Sequence, residues 1–263
     1  MSRVELTALV VKLIPFRESD RVAWLVSREQ GLVSALVRGV RKSQKRFANV
    51  FDLGNLVRVR VSARRGGMPT VDSGEMIDGH WANAASVAAF AALAHVIEVT
   101  RRVSVENHAE PELFDAACLT LAALESGVRP VVLRVFEAAT LAATGLAPNL
   151  TNCVVCGRAA RTDDAARYST LRGGIVCSRC LADHQLATIG PAARAFMGDS
   201  FHGPNEELLS CVLSKADQDA LAALLPAQIE HHLGGPLVAL RFARRLPKPG
   251  QVAASPLTQP IAD

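Results

Sequence analysis

Leu56-Val57-Arg58-Val59-Arg60-Val61-Ser62 alternates apolar and polar side chains with a period of two. An extended strand sends successive side chains to opposite faces, so this pattern buries the valines and sets Arg58 and Arg60 together on the open face. Downstream, Arg64-Arg65-Gly66-Gly67 reads as a hairpin turn, and residues 69–77 read as the next strand. Upstream, residues 4–14 form an apolar, β-branched run, a polar break covers 17–21, and a second run covers 22–27. Gln30-Gly31 then turns the chain into residues 32–38. Five short strands within about 80 residues predict a small barrel, for which a five-stranded OB-fold is the size match. Phe16, Trp24, Phe47 and Phe51 are the aromatic residues of its strands and loops, and several are expected to fill the barrel.

The composition then changes to Ala and Leu with helical spacing. Asn83 and Ser86 offer N-caps for a helix running to about Val103. Glu110-Pro111-Glu112 starts a second helix that stops near Ser126-Gly127, and Pro130 starts a third that stops at Gly145. Residues 149–186 are short, polar and cysteine-bearing. Helical stretches follow at 192–197, 215–233 and 237–246. The expected class is α+β: a barrel over residues 1–80, a helical domain over 81–148 and 187–246, and an inserted four-cysteine zinc module over 149–186. The tail 247–263, with four prolines and little apolar content, is expected to lack fixed structure.

Charge is divided unevenly. The first 80 residues carry fourteen basic and eight acidic side chains, whereas the remainder carries fifteen and seventeen. The whole basic excess therefore lies in the barrel, which points to an anionic partner, nucleic acid or a membrane surface. Met1 to Leu13 has no long apolar core of a secretory signal, and no run of about 18 apolar residues offers a membrane span. The expectation is a cytoplasmic, nucleoid-associated protein whose cysteines stay reduced, so clustered cysteines argue for metal or redox chemistry rather than disulfides.

Cys153-Val-Val-Cys156 and Cys177-Ser-Arg-Cys180 are two C-x-x-C pairs. Each places two thiolates on one tight knuckle, and two knuckles complete a tetrahedral sulfur shell suited to structural Zn2+. A catalytic zinc keeps an open position and draws on His or carboxylate ligands, which this set does not supply. An iron–sulfur cluster and a redox dithiol are lesser alternatives, and His184 is an alternative ligand. Cys118 and Cys211 stand alone in apolar patterns and read as small buried side chains.

Arg38, Arg41, Lys42, Lys45 and Arg46 fall within RGVRKSQKRF, residues 38–47, between two expected strands. Such a loop can reach several phosphates. With Arg58 and Arg60 it forms the candidate DNA-binding set, reading backbone charge with weak sequence preference in single- and double-stranded DNA.

Several stretches together resemble the RecO recombination mediators over residues 1 to about 246. They are Glu18-Ser19-Asp20-Arg21, RGVRKSQKRF and LVRVRV in the barrel, LRVFEAATLAATGLAPNLTNCVVCG leading into the first knuckle, YSTLRGGIVCSRC at the second, and HHLGGPLVALRFARR near the end. The resemblance implies a non-enzymatic protein that binds DNA, anneals complementary strands and, with RecR, loads RecA onto single strands covered by SSB. Because family members without the four cysteines exist, it also implies a structural zinc. An acidic SSB tail would need an apolar groove and a cation. Leu133, Phe136 and Leu141 on the third helix, with Arg134 beside them, are the candidate docking residues. Two alternative classes lack the motifs they need. A zinc-containing nucleic-acid enzyme is disfavoured by the lack of an H-x-E with P-C-x-x-C, a phosphate loop or an H-E-x-x-H helix. A zinc-ribbon transcription regulator is disfavoured by the lack of an evident recognition helix.

Overall fold

The computed structural model describes residues 2–40, 47, 49–63, 67–80, 86–180 and 186–245. Five strands make the N-terminal part: β1 (Ser2–Pro15), β2 (Arg21–Ser27), β3 (Gly31–Val37), β4 (Leu56–Ala63) and β5 (Thr70–Asp78). They close in the order β1-β2-β3-β5-β4, all neighbours antiparallel except β3 and β5. This is the OB arrangement expected from the sequence. β1 serves both sides of the barrel, pairing with β4 through its first half and β2 through its second. A bulge between Val10 and Lys12 makes this possible. Leu6, Ala8 and Val10 point inward, the extra residue reverses the parity, and Leu13 becomes the next inward side chain. Val57, Val59 and Val61 fill the same interior, as the alternation of β4 predicts. Phe47 and Phe51 close the barrel edge to face, with ring centroids 5.5 Å apart. Phe51 lies against Gly74 of β5, where an added Cβ would stand 3.2 Å from its ring.

The helices follow as α1 (Val87–Val103), α2 (Pro111–Glu125) and α3 (Pro130–Ala143). After the cysteine-bearing segment come α4 (Pro191–Asp199), α5 (Glu206–Ser210), α6 (Lys215–Leu233) and α7 (Val238–Arg245). Local chemistry sets their ends. Ser86 accepts the Ala89 N–H at 3.1 Å to start α1, Pro opens α2, α3 and α4, and Gly234 at φ 65° ends α6. α7 is held on α1 by Glu98, whose two carboxylate oxygens accept the N–H groups of Val238 and Ala239 at 2.9 and 2.8 Å. Among the described residues, no helix is long and apolar enough to cross a membrane.

A second sheet, β7-β6-β8, is formed by β6 (Ala166–Ser169), β7 (Gly174–Val176) and β8 (Ala187–Ile189). Its strands are three or four residues long, too short to show a period in the sequence. Tyr168, Ile175 and Ile189 from it join the helical core, so the cysteine-bearing segment shares one hydrophobic interior with the helices.

The outer flank of the barrel packs on that same interior through Leu9, Val11, Val26 and Leu32. Leu32 also exchanges backbone hydrogen bonds with the chain after α1: its N–H donates to Val105 at 3.2 Å, and its carbonyl accepts from Asn107 at 3.2 Å. Gly31, at φ 67°, sits so close to this segment that a Cβ would fall 1.8 Å from the His108 carbonyl oxygen. Arg28 adds a bidentate pair to Asp115 of α2, at 2.9 and 3.0 Å.

The expected tail-docking face on α3 is corrected here. Phe136 and Leu141 are 0% and 1% exposed and belong to the core, and Leu133 packs half-buried against it. Arg134 is turned inward: its Nη1 lies 2.9 Å from Glu137 Oε2, and Glu137 Oε1 lies 2.7 Å from His95 Nε2 of α1. The Leu/Phe stripe faces α1, α2 and α6 rather than solvent, so the basic residue inside it must find its anion within the core. Removing that anion strands two cationic or polar groups in apolar surroundings. Glu137→Ala should therefore lower stability by about 3–5 kcal/mol, measured by urea denaturation; a loss under about 1 kcal/mol would contradict the arrangement.

Candidate metal centre and nucleic-acid surface

The four knuckle cysteines converge. Their sulfurs all lie within 4.8 Å of one another, with Cys156 and Cys177 Sγ 3.7 Å apart. A tetrahedron of thiolates around an ion, with metal–sulfur bonds of about 2.3 Å, has edges of about 3.8 Å. The backbone builds this spacing. Gly157 N–H donates to the Cys153 carbonyl at 2.8 Å, with Gly157 at φ 72°, and Cys180 N–H donates to Cys177 at 3.0 Å. Val154 N–H donates to the Ile175 carbonyl at 2.9 Å, tying the first knuckle to the strand that leads into the second. Gly174 permits this approach, since a Cβ there would stand 2.5 Å from the Asn149 carbonyl oxygen.

Electrostatics agree with ligation. Burial opposes ionisation of Cys153, but the N–H groups of Cys177, Cys156 and Val155 point at its sulfur and bring the thiol down to about 6. Cys177 is likewise lowered: burial opposes, while hydrogen bonds from Cys180 and Cys156 outweigh it. Cys180, which hydrogen-bonds the sulfurs of Cys156 and Cys177, is pushed up to about 12. Four thiols this close cannot all ionise without a cation to absorb the charge, and a metal ion at their centre would supply it. The donor set fits a metal ion held by Cys153, Cys156, Cys177 and Cys180.

Cys118, by contrast, is pushed up to about 12, first by burial and then by the charges of Asp115 and Asp78, and stays an inert thiol. Cys211 is half-buried and packs against the helical core.

The basic residues are placed less uniformly than the sequence suggests. Arg38 follows β3 and is exposed, whereas Arg41, Lys42, Lys45 and Arg46 lie outside the described residues, as do Arg64, Arg65 and His184. Arg58 and Arg60 do share the outer face of β4, but not as a bare basic stripe. Arg58 pairs with Glu75 of β5 and Arg60 with Glu5 of β1 at 3.3 Å, so cross-strand carboxylates offset both charges. The alternation within β4 locates the arginines; only the register of its neighbours reveals their partners.

The structure groups around Arg38 residues that the sequence did not place in the DNA-binding set. Asp20 Oδ1 accepts the Gly39 N–H at 2.8 Å, fixing the loop after β1 to the root of the basic segment. Phe16 projects from that loop 51% exposed, with the Arg17 guanidinium 5.4 Å from its ring centroid. Arg21 opens β2 and pairs in register with Val37, beside Arg38. Phe16, Arg17, Arg21 and Arg38 thus border one rim of the barrel. The clue in the sequence was an aromatic residue in a polar loop next to Arg17.

A closed five-stranded OB barrel joined to a helical domain that contains a four-cysteine cluster defines a class of two-part proteins. Residues 1–80 match the family model "Recombination protein O N terminal" and residues 85–241 match "Recombination protein O C terminal". The chain is 32% identical over 248 residues to the DNA repair protein RecO of Anaeromyxobacter sp. (strain Fw109-5), covering 91% of this chain and 95% of that protein. It is 29% identical over 246 residues to the DNA repair protein RecO of Myxococcus xanthus (strain DK1622), covering 92% and 97%. It is 25% identical over 242 residues to the Bacillus cereus (strain AH187) protein of the same name, covering 91% and 96%. The chain belongs to the RecO family of DNA repair proteins.

Cys177→Ser removes one thiolate from the shared shell. The variant should bind metal at least about 100-fold more weakly and melt at a lower temperature, since ligation links the two knuckles across the second sheet. Elemental analysis after dialysis, with calorimetry, checks this; full retention of metal by the variant would count against a four-thiolate centre.

Proposed function

We propose that this chain is a DNA-binding recombination mediator that performs no bond chemistry of its own. It binds single- and double-stranded DNA, promotes annealing and, with RecR, helps load RecA onto strands covered by SSB. Family membership supports the repair role, and it is the support for RecR, RecA and SSB as partners. The observation that carries DNA binding is the barrel rim of Phe16, Arg17, Arg21 and Arg38, at the root of the basic run Arg41, Lys42, Lys45 and Arg46. OB barrels use the loop between strands 1 and 2 and the face of strands 2 and 3 for oligonucleotides. Here part of that face is buried on the helices, which directs a strand to the rim. Arg58 and Arg60, offset by Glu75 and Glu5, assist less.

The metal ion is proposed to be Zn2+ in a structural role, because four thiolates with no open position suit it. An acidic partner tail is not assigned to α3, whose apolar stripe is core. The proposed compartment is the cytoplasm, at the nucleoid.

Fluorescence anisotropy on labelled oligonucleotides tests the reading. Affinity should fall steeply between about 50 and 200 mM salt, and the Arg41→Glu/Lys42→Glu variant should bind at least about tenfold more weakly with a shallower salt slope. Phe16→Ala should cost about 1–3 kcal/mol on single strands and less on duplex, as loss of a stacked base would. Normal binding by both variants would move the site off this rim.

A further inference from the structure

His80 follows the last barrel strand by two residues, and nothing in the proposed DNA-binding role uses it. Its imidazole side chain is only 3% exposed, and neither ring nitrogen has a hydrogen-bond partner among the described residues. Its backbone lies at φ 44°, a left-handed conformation that a residue with a side chain adopts at a cost. That conformation holds the ring facing two carboxylates: Nδ1 lies 3.6 Å from Asp78 Oδ1 and 3.4 Å from Glu125 Oε1. Asp78 belongs to β5, Glu125 to the last turn of α2, and the three donor atoms lie within 4.8 Å of one another.

We propose that Asp78, His80 and Glu125 form a second metal site, taking one first-row divalent cation of the Mn2+ or Zn2+ kind and fastening the last strand of the barrel to α2. The spacing carries the argument. A histidine paired directly with a carboxylate closes to hydrogen-bond distance, as His95 does to Glu137 in this same chain at 2.7 Å. His80 stands off from both of its carboxylates by 3.4 and 3.6 Å. Ligands bonded at about 2.1 Å to a tetrahedral ion are separated by about 3.4 Å, so the gap has the dimension of a coordination shell.

The donor chemistry selects the cation. Two carboxylates balance a divalent charge, and an imidazole favours a first-row metal over Mg2+ or Ca2+, which prefer oxygen alone. Cys118, on the same helix, remains protonated and outside the set. Asp78 and Glu125 side chains are 48% and 33% exposed, so the ion has an entry path and positions left for water. Asp78 Oδ1 also accepts the His80 backbone N–H at 3.0 Å, which orients the carboxylate. The site is independent of the four cysteines and of DNA binding.

The test uses the full chain with its thiol site already filled with zinc. Mn2+ is titrated and free Mn2+ read by electron paramagnetic resonance, in parallel with thermal melting. One saturable Mn2+ per chain, displaced by a further equivalent of Zn2+ and accompanied by a rise in Tm, is expected. Asp78→Asn and Glu125→Gln should each weaken Mn2+ binding at least tenfold and abolish the Tm rise. Glu112→Gln, on the exposed surface of α2, should change neither. The proposal is overturned if no equivalent beyond the thiol site saturates, or if both carboxylate variants bind Mn2+ like the parent. A Tm that responds to acidification through these residues and not to metal also overturns it, and identifies an imidazolium ion pair instead.

Discussion

Leu9, Val11, Val26 and Leu32 turn away from the barrel interior and are buried with the helices, and this seam organises the rest of the molecule. Each such side chain contributes about 1.5–3 kcal/mol when removed from water. The bulge in β1 keeps the later part of the strand in step with this seam, returning Leu13 to the barrel interior. Without the parity change between Val10 and Lys12, the second half of the strand would send its apolar residues to the wrong sides. Backbone bonds from Leu32 and the tight passage at Gly31 then fix the barrel against the segment after α1, and the Arg28–Asp115 pair ties it to α2.

The seam also decides which parts of the barrel are free. Trp24 on the outer face of β2 packs toward the helices, with Lys12 4.7 Å over its ring. An OB barrel with that face covered keeps the rim formed by the first loop and the end of β3. The basic run of the sequence begins at this rim, so electrostatic attraction and an exposed aromatic residue occur together. By contrast, the arginines of β4 look across at carboxylates of both neighbouring strands. Clustered charge in a sequence is therefore a weaker guide than charge left over after pairing.

In the helical part, polarity is buried with its partner. Glu137 is fully enclosed and serves both His95 and Arg134. A triad of this kind is costly to desolvate and costlier to break, and it fixes how α3 faces α1 more narrowly than leucines alone would. Glu98, itself largely buried, acts differently: it caps α7 and holds that helix in place. The four cysteines work through the backbone: the two knuckles lie far apart in the chain and are joined by strand hydrogen bonds around β7.

Much of this was determined by the sequence alone. Alternation in β4 and the apolar runs before it require strands, Pro and Ser set the helix starts, and two C-x-x-C pairs mark a candidate metal site, since each signal is local. Boundaries of β1–β5, α1–α3, α6 and α7 fall close to where those signals place them. What the tertiary structure alone decided lies in pairings between distant residues. The direction of the α3 stripe, the carboxylates beside Arg58 and Arg60, the rim shared by Phe16 and Arg38, and the meeting of His80 with Glu125 depend on register and packing. No local pattern encodes these contacts, and β6–β8 are too short to carry a period. A residue's type limits the chemistry it can perform, while the neighbours brought to it by the closed barrel and the shared core settle whether that chemistry is spent inside the protein or presented to a partner.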